Sequence, residues 1–140
     1  MRLAIALLAL SHTLATPAAA ETLSGKMNTN TKVFAVIPDN SGTVQITVMG
    51  QRKLTFLVLA IDGEGEIVWC TAVSDEQLAR CDFGGLAGEI VVIGIATLSG
   101  SQKFNMNVTG PVDENVTGRL SGNVIQRLHE RMRALQWAAG

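Results

Sequence analysis

The chain has 140 residues, of which 47% are hydrophobic and 16% charged, with 11 Lys and Arg against 12 Asp and Glu. A formal charge of −1 excludes an electrostatic nucleic-acid binder, which would carry a basic surplus, and it is too mild to mark a specialised acidic partner.

The N-terminus orders its residues as an export leader does. Arg2 supplies a positive charge, Leu3 to Leu10 is apolar, and Pro17-Ala-Ala-Ala20 precedes Glu21. Ala18 and Ala20 are the small side chains a signal peptidase requires, so cleavage is expected after Ala20. The apolar run is too short for the roughly 30 Å of a bilayer core, and Pro17 interrupts it. Removing 1–20 leaves 120 residues with ten Lys and Arg against twelve Asp and Glu, a charge of −2. That is the size of one domain. No remaining segment reads as transmembrane, and the compartment expected is periplasmic or extracellular.

Strand signals follow in order. Lys32 to Ile37 is β-branched and aromatic and stops at Pro38-Asp-Asn-Ser-Gly42. Val44 to Val48 alternates apolar with polar, as a strand with one wet face does. Leu54 to Ile61 is continuously apolar, and after Asp62-Gly63-Glu64-Gly65 the segment Glu66 to Cys70 should return as the second arm of a hairpin. Ile90 to Ala96 is again continuous, and Lys103 to Thr109 alternates. Six short strands between Gly, Asn, Asp and Ser turns predict a mainly β fold, an antiparallel sandwich or small barrel, and the architecture expected is an antiparallel β-sandwich of jelly-roll type with one C-terminal helix.

The stretch between the cysteines reads differently. Ser74-Asp75-Glu76-Gln77 fits a capping box, which predicts one helical turn through Arg80. Cys70 and Cys81, even in number and closely spaced in an exported chain, predict one disulfide that ties neighbouring strands. A redox pair normally sits two residues apart, and a zinc site needs more ligands than one His adds. Trp69 is expected to pack on the bridge.

From Asn123 the sequence is helical. Ile125, Leu128, Met132 and Leu135 share one face, with Arg127, Glu130, Arg131 and Arg133 mostly opposite and Asn123 as the N-cap. The domain plan is therefore a leader over 1–20, a sandwich over 21–122 and a helix over 123–138. Strands that do not alternate need cover on both faces, and the helix is the available lid over 54–61 and 90–96. The same helix offers a route to a homodimer, or with Trp137, Arg131 and Arg133 a membrane-surface element.

No catalytic constellation appears. There is no Gly-x-Ser-x-Gly elbow, no His-Glu-x-x-His helix and no Walker loop, and Gly84-Gly85-Leu-Ala-Gly88 lacks a Lys and precedes a strand. His129, left alone after cleavage, has no nucleophile marked out beside it. Asp62, Glu64 and Glu66 resemble the start of a calcium loop. Ile67 stands where its glycine belongs and Val73 where its bidentate Glu belongs, so no cofactor is expected. Asn107-Val-Thr109 and Asn115-Val-Thr117 match the glycosylation acceptor of a eukaryotic secretory pathway.

Three stretches carry a family likeness: VFAVIPDNSGTVQITV, LTFLVLAIDGEGEIV and GEIVVIGIATLSGSQKFNMNV. Val33 to Val108 thereby resembles the bacterial pre-peptidase C-terminal module, in its opening hairpin, its central strand–turn–strand unit and its closing pair. Thr55, Phe56 and Phe104 replace acidic and tyrosine positions of that family, so the likeness does not imply calcium. It implies a β-sandwich that assists adhesion or substrate binding. The function expected is an exported, non-catalytic binding or accessory module for a protein or extracellular polymer. The alternative is an inhibitor of an exported hydrolase that presents the 71–80 disulfide loop with Asp75, Glu76 and Arg80.

Overall fold

Alternation of apolar and polar side chains decides which way each strand faces, and two facing apolar sets make the core. A computed structural model describes residues 20–38, 42–85, 88–109, 112–115 and 120–139. The strands are β1 (Ala20–Met27), β2 (Lys32–Pro38), β3 (Gly42–Gly50), β4 (Phe56–Asp62), β5 (Val68–Ser74), β6 (Leu78–Gly85), β7 (Val91–Thr97), β8 (Gln102–Thr109) and β9 (Val112–Asn115), followed by helix α1 (Gly122–Ala139). They form two antiparallel sheets, ordered β1-β8-β3-β6 (sheet A) and β5-β4-β7-β2-β9 (sheet B). Except between β4 and β5, the chain crosses from one sheet to the other at each connection. This is the winding of a jelly roll, so the mainly β sandwich read from the sequence is the fold.

The core between the sheets takes the inward positions of both. Val44, Ile46, Val48, Met106 and Val108 from sheet A meet Phe56, Val58, Ile93, Ile95 and Val36 from sheet B. Phe34 and Phe104 meet edge to face at 6.0 Å across that space. β8 exposes every second residue and β3 alternates buried with half-buried or exposed ones, whereas β4 and β7 are buried along their whole length.

The second cover on sheet B is α1. Val124, Leu128 and Met132 pack on Leu57, Leu59, Ile61, Val92 and Ala96, and each such burial stabilises by roughly 1.5–3 kcal/mol. Gly94 lets the helix come close, since a Cβ there would lie 3.1 to 3.2 Å from the Leu128 side chain. Polar side chains pin both flanks. Arg131 donates to the Gly65 and Glu66 carbonyls at 3.3 Å, and Gln136 to the Thr29 and Thr97 carbonyls at 2.9 and 3.1 Å. Among the described residues no helix is long and apolar enough to cross a membrane.

The structure corrects several details. The expected helical turn after Ser74 is absent: residues 78–85 are strand β6, and only 75–77 connect it to β5. Ser74 Oγ accepts from the Glu76 amide at 3.1 Å and donates to the Leu78 carbonyl at 2.7 Å, so the hydroxyl builds a tight turn between strands in place of a helix cap. β5 and β6 lie in opposite sheets, so the Cys70–Cys81 bridge, with Cα atoms 6.0 Å apart, joins sheet to sheet and not neighbours within one. Trp69 stacks on Phe83 at 5.2 Å, closing the same flank. The helix begins one residue early, at Gly122, with Ser121 as its cap: the Ile125 amide donates to the Ser121 carbonyl and the Val124 amide to its hydroxyl. The residues read as an export leader up to Ala19, the tip of the 38–42 turn, Leu86 and Ala87, and the Val116–Thr117 part of one sequon lie outside the described residues.

Candidate binding surface

The two sheets present opposite outer faces. On sheet B that face is apolar; α1 covers it over β4 and β7, while Val68 and Val73 of the edge strand β5 stay 41% and 53% exposed. On sheet A the outward side chains are mostly polar or charged: Thr22, Ser24 and Lys26 on β1, Lys103, Asn105, Asn107 and Thr109 on β8, Thr43, Gln45 and Thr47 on β3, Arg80 and Asp82 on β6, with Met49 and Leu78 apolar and Gly84 bare. Among the described residues no element lies over it. A sheet face needs no cover when its side chains can be solvated, so this one is stable while open.

The register builds a trough across it. Ser24, Asn105 and Met49 stand side by side on β1, β8 and β3. Two positions along, Lys26 stands directly opposite Lys103, and the Gln51 amide donates to the Lys103 carbonyl at 3.1 Å. Between the two rows run Gly25, Phe104 and Gly50, also in register. The Phe104 ring is buried in the core, so this middle row offers backbone and no outward side chain. The result is an open groove of about 600 Å³ lined by these residues. One wall is neutral and the other carries two ammonium groups.

The 75–77 turn is fastened to the end of this groove. The Gly50 amide donates to the Gln77 carbonyl at 2.7 Å, Gln77 Nε2 to the Gln51 carbonyl at 3.0 Å, and Lys53 pairs with Glu76 at 3.4 Å. The 51–53 connection is held in turn by the Arg52 amide on Gln102 Oε1 at 3.0 Å and by the Arg52 side chain on the Ser101 carbonyl. Asp75 and Glu76 therefore sit at the rim. Arg80 does not join them; it lies two residues into β6 and pairs with Asp82 at 3.4 Å.

The acids of the 62–66 turn diverge. Asp62 Oδ1 accepts the Glu66 and Ile67 amides at 2.7 and 2.9 Å, closing the β4–β5 hairpin from beneath. Glu66 pairs with Arg127 of the helix, and the Glu64 carbonyl accepts from that same guanidinium. Among the described residues no group of three or more His, Cys, Asp and Glu side chains is placed to hold a metal ion. His129 is half-buried on α1, and Trp137 is 89% exposed at its last turn.

Lys26, Met49 and Asn105 were not singled out by sequence reasoning. The alternation of Lys103 to Thr109 marks Lys103 and Asn105 as outward, but β1 is not recognisable as a strand, so nothing pairs Lys26 with Lys103.

No protein-family model matches the chain, and no curated protein matches its sequence significantly. Solved structures do share its fold. The pre-peptidase C-terminal domain of the collagenase from Bacillus anthracis superposes with a TM-score of 0.55 at 11% identity, over 64% of this chain and 88% of that one. The mitogen derived from Yersinia pseudotuberculosis superposes with a TM-score of 0.51 at 10% identity, over 69% and 90%. The fold is thus similar to that of the pre-peptidase C-terminal module, as the strand pattern suggested.

Proposed function

We propose that the chain is an exported, non-catalytic binding module that holds a protein or extracellular polymer against the outer face of sheet A. The observation that supports this is the asymmetry of the sandwich. A helix covers the middle of one sheet, while the other presents an open polar face crossed by a trough. A pre-organised surface binds at low entropic cost. Export is supported by the leader-like order of residues 1–20, and the inter-sheet disulfide suits an oxidising compartment.

Co-sedimentation of the purified protein with insoluble extracellular polymers tests the reading. Binding to at least one polymer is expected, lost in Asn105→Trp, whose indole would fill the trough, and kept in Trp137→Ala. Binding that follows Trp137 and ignores Asn105, or none to any polymer or exported protein, contradicts it.

A second reading is favoured by the fastening of the 75–77 turn: an inhibitor of an exported hydrolase that inserts this tip. Under it, Asp75→Ala with Glu76→Ala abolishes inhibition of the target enzyme; under the first reading the same change leaves polymer binding intact.

A further inference from the structure

We infer that the trough on sheet A takes an acidic polysaccharide, one whose sugar rings carry carboxylate or sulfate groups; this deepens the reading of that face as a binding surface. Lys26 and Lys103 are Cα partners on the same face of adjacent strands. Like charges directly opposite each other destabilise a sheet, and among the described residues neither lysine has an ion-pair partner. An anion lying between them relieves that repulsion and gains charge-assisted hydrogen bonds.

The rest of the trough selects the kind of anion. It runs across β1, β8 and β3, a span of about 10 Å at ordinary strand spacing, which is the reach of a disaccharide. The opposite wall supplies the Ser24 hydroxyl and the Asn105 amide, which both donate and accept as sugar hydroxyls require. Met49, 55% exposed beside them, offers an apolar surface to a ring face. An acidic peptide fits less well. Extended peptides gain affinity by adding main-chain hydrogen bonds at a sheet edge. The trough crosses the face of the sheet, and its central strand β8 is paired on both sides, with β1 and with β3.

Retention of the purified protein on immobilised polygalacturonate, dextran and poly-glutamate, at low and high salt, tests the assignment. Polygalacturonate should retain the protein, and K26Q/K103Q should weaken that binding about tenfold or more, equivalent to RT ln 10. High salt should weaken it likewise, and the double variant should melt no lower than the parent. Equal retention on dextran, or no effect of K26Q/K103Q, overturns the acidic ligand while leaving a binding module with a neutral one. Stronger retention on poly-glutamate overturns it in favour of an acidic peptide. No retention on any of the three overturns it as well, and the Asn105→Trp co-sedimentation result then decides whether the face binds anything.

Discussion

Asp62 shows how one side chain can organise a hairpin. Its carboxylate is buried and receives two backbone amides that the turn would otherwise leave unpaired. Replacing it with Ala strands those donors, at a cost of about 1–3 kcal/mol, so D62A should show a lower urea midpoint with an unchanged slope. Gly94 and Leu128 form a second decisive pair. Leu128→Ala opens a hole beneath the helix and should cost about 2–5 kcal/mol. Gly94→Ala puts a methyl where the leucine now reaches. The double variant should therefore lose less than the two single losses added together, because the new methyl occupies the space the leucine vacates. A thermodynamic cycle from equilibrium unfolding measures that coupling.

At the scale of elements, legibility followed side-chain size and branching. β3 and β8 alternate with large residues, and the continuous runs in β4 and β7 state that both of their faces are buried. β1 and β6 were not legible. The inward positions of β1 include Gly25, and those of β6 are Ala79, Cys81, Phe83 and Gly85, too small on average to announce a pleat. In β6 the Ser74 signal also competed, because a hydroxyl suited to a helix cap serves a turn equally well. The candidate site shared this fate, since half of its charged wall stands on β1. The disulfide was legible as a pair but not as a link between sheets, because sequence spacing carries no sheet assignment. As the bridge closes an open flank of the sandwich, Cys70→Ser with Cys81→Ser should cost about 2–5 kcal/mol, seen as a drop in the thermal midpoint of the kind that reductant produces in the parent protein.

The whole molecule divides its labour between two faces. Sheet B spends its outer surface on stability, with α1 anchored through Leu128 and Met132 and pinned by Arg127, Arg131 and Gln136. The Arg127–Glu66 pair is largely solvated, so it contributes at most about 1 kcal/mol; Arg127→Ala should barely move the melting temperature, while Met132→Asp should lower it strongly and expose a surface that binds hydrophobic dyes. Sheet A contributes its inner face to the same core and leaves its outer face open. The central claim is that this open face is the working surface, and a two-dimensional amide NMR titration of the purified protein with polygalacturonate tests it most directly. The account predicts shifts confined to Ser24–Lys26, Met49–Gln51 and Lys103–Asn105, with α1 and the Trp137 indole unmoved. Shifts centred on Trp137 and the outer side of α1, with β1 and β8 silent, would contradict it.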